Sequence, residues 1–284
     1  MSNAPATDER LAGLVDAALA GAREVMAVYA TDFTVERKAD DSPVSEADRA
    51  AERAIMARLA ALMPDCPVIA EEAVADGRVA RIGQSFLLVD PLDGTKEFVS
   101  RNGEFTVNIA LVEAGVPVAG VVLAPAVGLA YAGSPESAWK GRTDMSLDTV
   151  RAWEPIEVRR AGPAPVAVAS RSHMTPATEE ALRQAAACET ASIGSSLKFC
   201  LLAGAEADFY PRLGPTMEWD TAAGDAVLRA AGGTVVTLDG APLRYGKTGV
   251  PGMRDFENPH FIAAADQALL ARLDLETLKQ NKAA

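Results

Sequence analysis

From Thr7 to Ala30 the apolar positions Leu11, Leu14, Ala18, Ala22, Val25, Met26 and Tyr29 recur every three or four residues, which predicts an amphipathic helix. Thr7 is a candidate N-cap, and Asp8 and Glu9 fall in the first turn, where the helix dipole favours acids. A polar linker, Lys38 to Ser45, follows. Ser45 with Asp48 forms an S-x-x-D capping pattern for a second helix that runs to Met63, where Pro64 stops it.

The period then shortens. Apolar runs of four to eight residues at Pro67 to Ala70, Phe86 to Val89, Phe105 to Val112, Val116 to Leu123 and Leu129 to Ala132 predict strands, and Glu113-Ala-Gly-Val116 reads as a hairpin turn. A meander of antiparallel strands is expected. Beyond the Pro-rich Ala161 to Pro165, strand and helix signals alternate: strands at Val166 to Ala169, Asp208 to Tyr210, Thr234 to Leu238 and Phe261 to Ala264, with helices from Thr175, from Ser195, after Asp220 and at the end. The change of pattern predicts two parts, an α+β half over 1–162 with an antiparallel sheet and an α/β half over 163–284. The fold class is α/β.

Composition narrows the function. The 284 residues carry 27 Lys+Arg against 39 Asp+Glu, a formal net charge of −12, and 49% are hydrophobic. That hydrophobic share supports a folded core, and the acidity excludes a surface built to coat nucleic acid, which needs a broad basic face. Cys66, Cys188 and Cys200 lack metal-type spacing and read as reduced thiols. Met1 to Arg10 is polar and acidic, unlike a signal peptide, and no run of about 18 apolar residues occurs, so a cytoplasmic protein without a transmembrane segment is expected.

The candidate chemistry lies in acids at element ends. In Phe86-Leu-Leu-Val-Asp-Pro-Leu-Asp-Gly-Thr-Lys-Glu-Phe98 an apolar strand ends in Asp90, and Pro91 and Gly94 are expected to force a tight turn. That turn sets Asp93, Thr95 and the Leu92 carbonyl beside Asp90. Carboxylates held so closely repel one another unless a cation separates them, and hard oxygen ligands without His or Cys favour Mg²⁺ or Mn²⁺ over Zn²⁺. Val68-Ile-Ala-Glu-Glu72 adds paired acids after a short strand, and Asp220 stands at the start of a helix. Singly, each has an ordinary reading as turn former, solvated strand end or cap; together they point to one shared metal site.

The blocks Lys38-Ala-Asp-Asp-Ser-Pro-Val-Ser45, Glu71-Glu72, Asp90 to Phe98, Arg101 to Leu111, Ser170-Arg-Ser-His173, Ile193 to Cys200, Tyr210-Pro-Arg212 and Trp219 to Gly224 resemble the lithium-sensitive, Mg²⁺-dependent phosphatases of the inositol monophosphatase superfamily. Lys96-Glu97-Phe98 and Gly194 to Phe199 are most similar to its CysQ-type 3′(2′),5′-bisphosphate nucleotidase branch. The resemblance implies a layered α-β-α-β-α sandwich of the inositol monophosphatase/fructose-1,6-bisphosphatase type, with the active site between the halves. It implies that Glu71, Asp90, the Leu92 carbonyl, Asp93 and Asp220 bind two or three Mg²⁺, replaceable by Mn²⁺ and inhibited by Li⁺, and that Asp40 and Thr95 activate the attacking water. Substrate contacts would come from Glu71, Leu92, Asp93, Gly94, Thr95 and Asp220, and the non-reacting 5′-phosphate would lie on His173, Ser195, Lys198 and Arg212. Asp41 and Ser45 depart from the expected Asn and Thr, adding one charge and keeping the hydroxyl.

The implied reaction is hydrolysis of 3′-phosphoadenosine 5′-phosphate to AMP and phosphate, in sulfur assimilation and nucleotide recycling, with the 5′-phosphosulfate form open as a second substrate. Peripheral membrane association and a monomeric or homodimeric state also stay open. A haloacid-dehalogenase-type phosphatase is disfavoured because it needs D-x-D, not D-x-x-D. An inositol monophosphatase or sugar bisphosphatase is the rival within the superfamily, opposed by the cations Lys198 and Arg212. A catalytically inactive metal-binding module is opposed by the presence of both Asp40 and Thr95. The global acidity is compatible with a phosphorylated substrate, because two or three Mg²⁺ bring about +4 to +6 to the five acids.

Overall fold

The computed structural model describes residues 5, 8–31, 43–169, 174–187, 189–191 and 193–280. Two helices, α1 (Glu9–Tyr29) and α2 (Pro43–Leu62), come first. The cap of α1 is Asp8 and not Thr7: its carboxylate accepts the Arg10 and Leu11 amides at 3.0 and 3.2 Å. The second helix also begins earlier than the S-x-x-D pattern suggests, at Pro43, whose fixed φ and missing N–H suit a first helical turn.

Seven strands then form one sheet in chain order: β1 (Val68–Ala70), β2 (Ser85–Asp93), β3 (Thr106–Glu113), β4 (Val116–Ala124), β5 (Leu129–Ser134), β6 (Ser137–Thr143) and β7 (Val150–Ile156). All neighbours are antiparallel except β1 and β2, so the expected meander is present with one parallel edge. The strands β6 and β7 carry Ser, Lys, Arg, Glu and Gly in place of an apolar run, and β7 is an exposed edge, so hydrophobic patterning alone misses both. The second sheet has β11 (Thr234–Thr237), β12 (Phe261–Ala264), β10 (Phe209–Arg212), β8 (Val166–Val168) and β9 (Glu189–Ala191) in that order.

Strand alternation sorts side chains into three cores. Leu87, Val89, Val107, Ile109, Leu111, Val121 and Leu123 point at α1 and α2. Their neighbours Phe86, Leu88, Ala110, Val112 and Val122 point the other way, onto α6 (Leu197–Ala203) and α7 (Ala222–Ala230), and meet Tyr210, Val235, Phe261 and Ala263 of the second sheet. The far face of that sheet, with Phe209, Val236 and Ile262, is covered by α5 (Pro176–Gln184), α8 (Gln267–Leu270) and α9 (Leu275–Gln280). The order is α-β-α-β-α, as the resemblance implies.

The middle layer sits close to the first sheet because its contact residues are small. A Cβ at Gly120 of β4 would lie 2.6 Å from the Ala223 carbonyl oxygen and 2.7 Å from the Ala226 Cβ, so only glycine admits α7 at this distance. The N-terminus of α7, and Asp220 just before it, are thereby held against the strands that carry the other acids.

Candidate metal centre

Two short helices begin at the site. The strand β1 ends at Ala70, and Glu71 and Glu72 open α3 (Glu71–Ala75), which has no side-chain cap of its own. Glu52 of α2 takes that role, accepting the Glu72 and Ala73 amides at 3.0 and 3.3 Å. In β2 the expected turn after Asp90 is a β-bulge. Asp90 pairs with Asn108 and Asp93 with Thr106, so Pro91 and Leu92 together face a single residue of β3. Proline fits there because its missing amide leaves no ladder bond broken. Gly94, at φ +93°, then turns the chain into α4 (Thr95–Val99).

These elements bring Glu71, Asp90 and Asp220 together, with one carboxylate oxygen from each all within 4.8 Å of one another. Asp90 Oδ1 accepts the Leu92 amide at 3.0 Å, and Asp220 Oδ2 accepts the Met217 amide at 2.8 Å. Asp93 stands beside this trio with one oxygen already bound: Oδ2 accepts the Ser196 amide at 2.7 Å, the Ser196 hydroxyl at 2.8 Å and the Asn108 amide at 3.4 Å. Ser196 Oγ also lies 2.5 Å from the Asp220 carbonyl oxygen, so one residue touches both Asp93 and Asp220.

Burial raises every one of these acids, and repulsion from neighbouring acids adds to it at Glu71, Asp90 and Asp220. Burial acts first on Glu71, pushed up to about 7, with Asp93 and Glu72 adding to it; Asp220 is pushed up to about 8 by burial and Asp93. Asp90 stands well above the ordinary carboxylate range, from burial and then from Glu71, Asp93 and Asp220, and Asp93 is raised by burial although Lys198 and Ser196 oppose it. Acids this close, made of oxygen donors alone, suit a hard divalent cation and relax when one is bound.

Four residues here escaped the sequence reading. Asp48, read there as a capping partner, is buried on α2, and its carboxyl is pushed up to about 8 by burial and then by Glu71, Glu72 and Glu52. Glu52 lies one turn further on. A signal was available: both acids interrupt the apolar stripe Ala47, Ala51, Ile55 and Leu59, where a charge needs a reason. Ser196 and Asn108 gave no such signal, because their role depends on the meeting of α6, β2, β3 and α7.

Beside the acids is a cavity of about 230 Å³ lined by Asp93, Gly94, Thr95, Ser195, Lys198, Arg212 and Asp220, among others. Lys198 is buried; its Nζ donates to the Ser195 carbonyl at 2.9 Å and lies 5.8 Å from the Tyr210 ring centroid. Burial lowers its pKa, while Asp93 pulls it back up. Arg212 donates one guanidinium nitrogen to the Pro215 carbonyl at 2.8 Å, and its buried Nε has no partner among the described residues. Ser195, at φ +45°, donates its hydroxyl to the Glu104 carbonyl at 2.9 Å. Asp40 and His173 lie outside the described residues.

The fold and the site define a five-layered α/β protein with an all-oxygen cluster of acids able to hold a metal ion, beside a pocket that carries both acids and the cations Lys198 and Arg212. The chain belongs to the inositol monophosphatase family, whose model matches residues 6–280, and the family is metal-dependent. It is similar to the 3′(2′),5′-bisphosphate nucleotidase CysQ of Escherichia coli K12, with 48% identity over 223 residues, 78% of this chain and 87% of that relative. It also resembles the solved structure of CysQ from Bacteroides thetaiotaomicron, with a TM-score of 0.75 and 39% identity over 90% of this chain and 97% of the other. An inositol monophosphatase from Zymomonas mobilis shares the fold at a TM-score of 0.73 and 24% identity, each chain covered in full. Among the described residues no helix is long and apolar enough to cross a membrane.

Proposed function

We propose that this chain is a Mg²⁺-dependent 3′(2′),5′-bisphosphate nucleotidase that hydrolyses 3′-phosphoadenosine 5′-phosphate to AMP and phosphate. The observation that carries the reading is the pairing, around one cavity, of the acids Asp93 and Asp220 with the cations Lys198 and Arg212. A monophosphate needs only the acid side; a substrate with a second phosphate also needs the cationic side.

Glu71, Asp90, Asp93, Asp220 and the Leu92 carbonyl hold two or three Mg²⁺ in this reading. Bound there, the cations lower the pKa of a water, polarise the phosphoryl oxygens and neutralise the leaving oxygen. Thr95 opens α4 at the cavity and orients the water. Asp40 is assigned to accept its proton, and Asp48, buried beside Glu71, is the described carboxylate suited to the same task. The water oxygen bonds to phosphorus as the ester P–O bond breaks, and the 3′ oxygen leaves on the ribose. Ser195, Lys198 and Arg212, with His173, hold the 5′-phosphate, and Gly94 leaves room for the chain to approach it.

Phosphate release is the test. With Mg²⁺, 3′-phosphoadenosine 5′-phosphate should be hydrolysed well ahead of inositol 1-phosphate, and millimolar Li⁺ should inhibit. Faster release from the inositol ester would move the chain to another activity of the family, and a folded protein with no Mg²⁺-dependent release would overturn the enzyme reading.

Lys198→Ala should raise KM for the bisphosphate by about 100-fold, on the order of 3 kcal/mol for a lost charge-assisted contact, and change a monophosphate substrate by less than about threefold. Equal losses on both substrates would mean that Lys198 does not touch the second phosphate.

A further inference from the structure

The segment 216–221, which carries Asp220, is bound on one side by a strap, residues 244–258, that contributes nothing to the cavity itself. Glu218 is fully buried, and its carboxylate accepts the Gly246 amide at 2.6 Å, the Lys247 amide at 2.9 Å and the Lys247 ammonium at 2.5 Å. The Glu218 amide donates to the Phe256 carbonyl at 2.8 Å. Asn258, also buried, donates its side-chain amide to the Met217 carbonyl at 2.8 Å, to Thr221 Oγ1 at 3.0 Å and to Thr216 Oγ1 at 3.3 Å. Its backbone amide donates to the Thr216 carbonyl at 2.9 Å, and its Oδ1 accepts from Lys247 Nζ at 3.3 Å.

We infer that Asn258 is a positioning residue for the metal centre, acting through Met217 on Asp220, with the Glu218–Lys247 pair anchoring the strap that carries it. The path is short: Asn258 Nδ2 holds the Met217 carbonyl, and on the other side of the Met217 Cα the Met217 amide holds Asp220 Oδ2. Asp220 precedes the first turn of α7 and has no helical bond to fix its side chain, so its aim depends on what holds residues 216–221. A buried ion pair is a poor way to gain stability, since desolvation offsets the attraction; its better-attested use is to fix one arrangement among several. Fixing the aim of a metal ligand is such a use, and residues that orient ligands from behind commonly govern metal affinity.

The inference rests on Asp220 as a metal ligand, and the experiment separates the two. Mn²⁺ binding, followed by electron paramagnetic resonance on the full chain well below its melting temperature, is compared across variants. Asp220→Asn should weaken Mn²⁺ strongly. Asn258→Ala and the volume-keeping Asn258→Leu should each weaken it about 10-fold, and saturating metal should restore kcat. The control is Asp208→Asn: Asp208 is buried and bonded to Arg159 and the Val166 amide, outside both the strap and the 216–221 segment, so its loss should lower the melting temperature while leaving Mn²⁺ affinity within about twofold. If Asp220→Asn binds Mn²⁺ normally, the ligand assignment fails. If it binds weakly while both folded Asn258 variants bind normally, or if Asp208→Asn weakens binding as much as they do, the positioning role of Asn258 is overturned.

Discussion

Asp90→Asn should lower turnover at least about 1000-fold, on the order of 4 kcal/mol of transition-state stabilisation, while the metal-free protein stays at least as stable as the parent. Asp90 is the most constrained acid of the site: it is 1% exposed, and Glu71, Asp93 and Asp220 all act on its charge. Asparagine keeps the volume and one oxygen, so the bond from the Leu92 amide to Oδ1 can survive. What it removes is the buried negative charge. Without metal that charge is a cost, met either as repulsion from Glu71, Asp93, Asp220 and Asp48 or as the uptake of a proton that removes it; with metal it is the attraction that holds the cation. Activity and metal-free stability should therefore move in opposite directions, whereas an ordinary core substitution lowers both. Asp48→Asn is the contrasting case. It should lower kcat and leave Mn²⁺ binding nearly intact, because Asp48 stands next to the ligand group and outside the trio. Near-normal turnover in Asp90→Asn, or a melting temperature well below that of the metal-free parent, would contradict the assignment.

The extent to which this site can be read from the chain follows from which interactions are local. The bulge region is local: an apolar strand, a proline without an amide, and a glycine at positive φ lie within ten residues, so the closeness of Asp90 and Asp93 could be inferred before the fold. The layered order followed from family resemblance alone; the shift of period along the chain predicted only a division into two parts. The edge strand β7 could not be found that way, because a strand that buries little has no apolar run to announce it. Asp48 shows a different failure. Its S-x-x-D spacing with Ser45 satisfied a local rule, and the local rule hid the tertiary one: helix α2 begins before Ser45, and Asp48 turns inward toward Glu71. Ser196 is marked only as one residue of the Ile193 to Cys200 block, and Asn258 carries no mark in sequence, since each acts by joining segments that only the folded chain brings together.

Removing the divalent cation should reverse the pH dependence of stability. In the metal-free protein Glu71 is pushed up to about 7 and Asp48 and Asp220 to about 8, from ordinary values of 4.5 and 3.8, with burial the first cause in each. Between the ordinary and the raised values the native state holds protons that the unfolded chain has already released. The unfolded state then binds fewer protons than the native one, so stability falls as pH rises. This contribution is fully present below about pH 4 and is lost as pH climbs through about 7 to 8. A bound cation favours the ionised acids and moves their pKa values down, so the same groups then lend stability at high pH and lose it on acidification. Melting curves in a chelator and in excess Mg²⁺ should accordingly converge near pH 5 and separate toward pH 8, by about 2.7 kcal/mol per ion at 100 times its Kd. Ion pairs remote from the site cancel in the difference; Arg159 with Asp208, which holds that carboxyl below its ordinary value, is one of them. Two parallel curves across this range would mean that the acids are not neutralised by metal, and the centre assigned to Glu71, Asp90 and Asp220 would have to be abandoned.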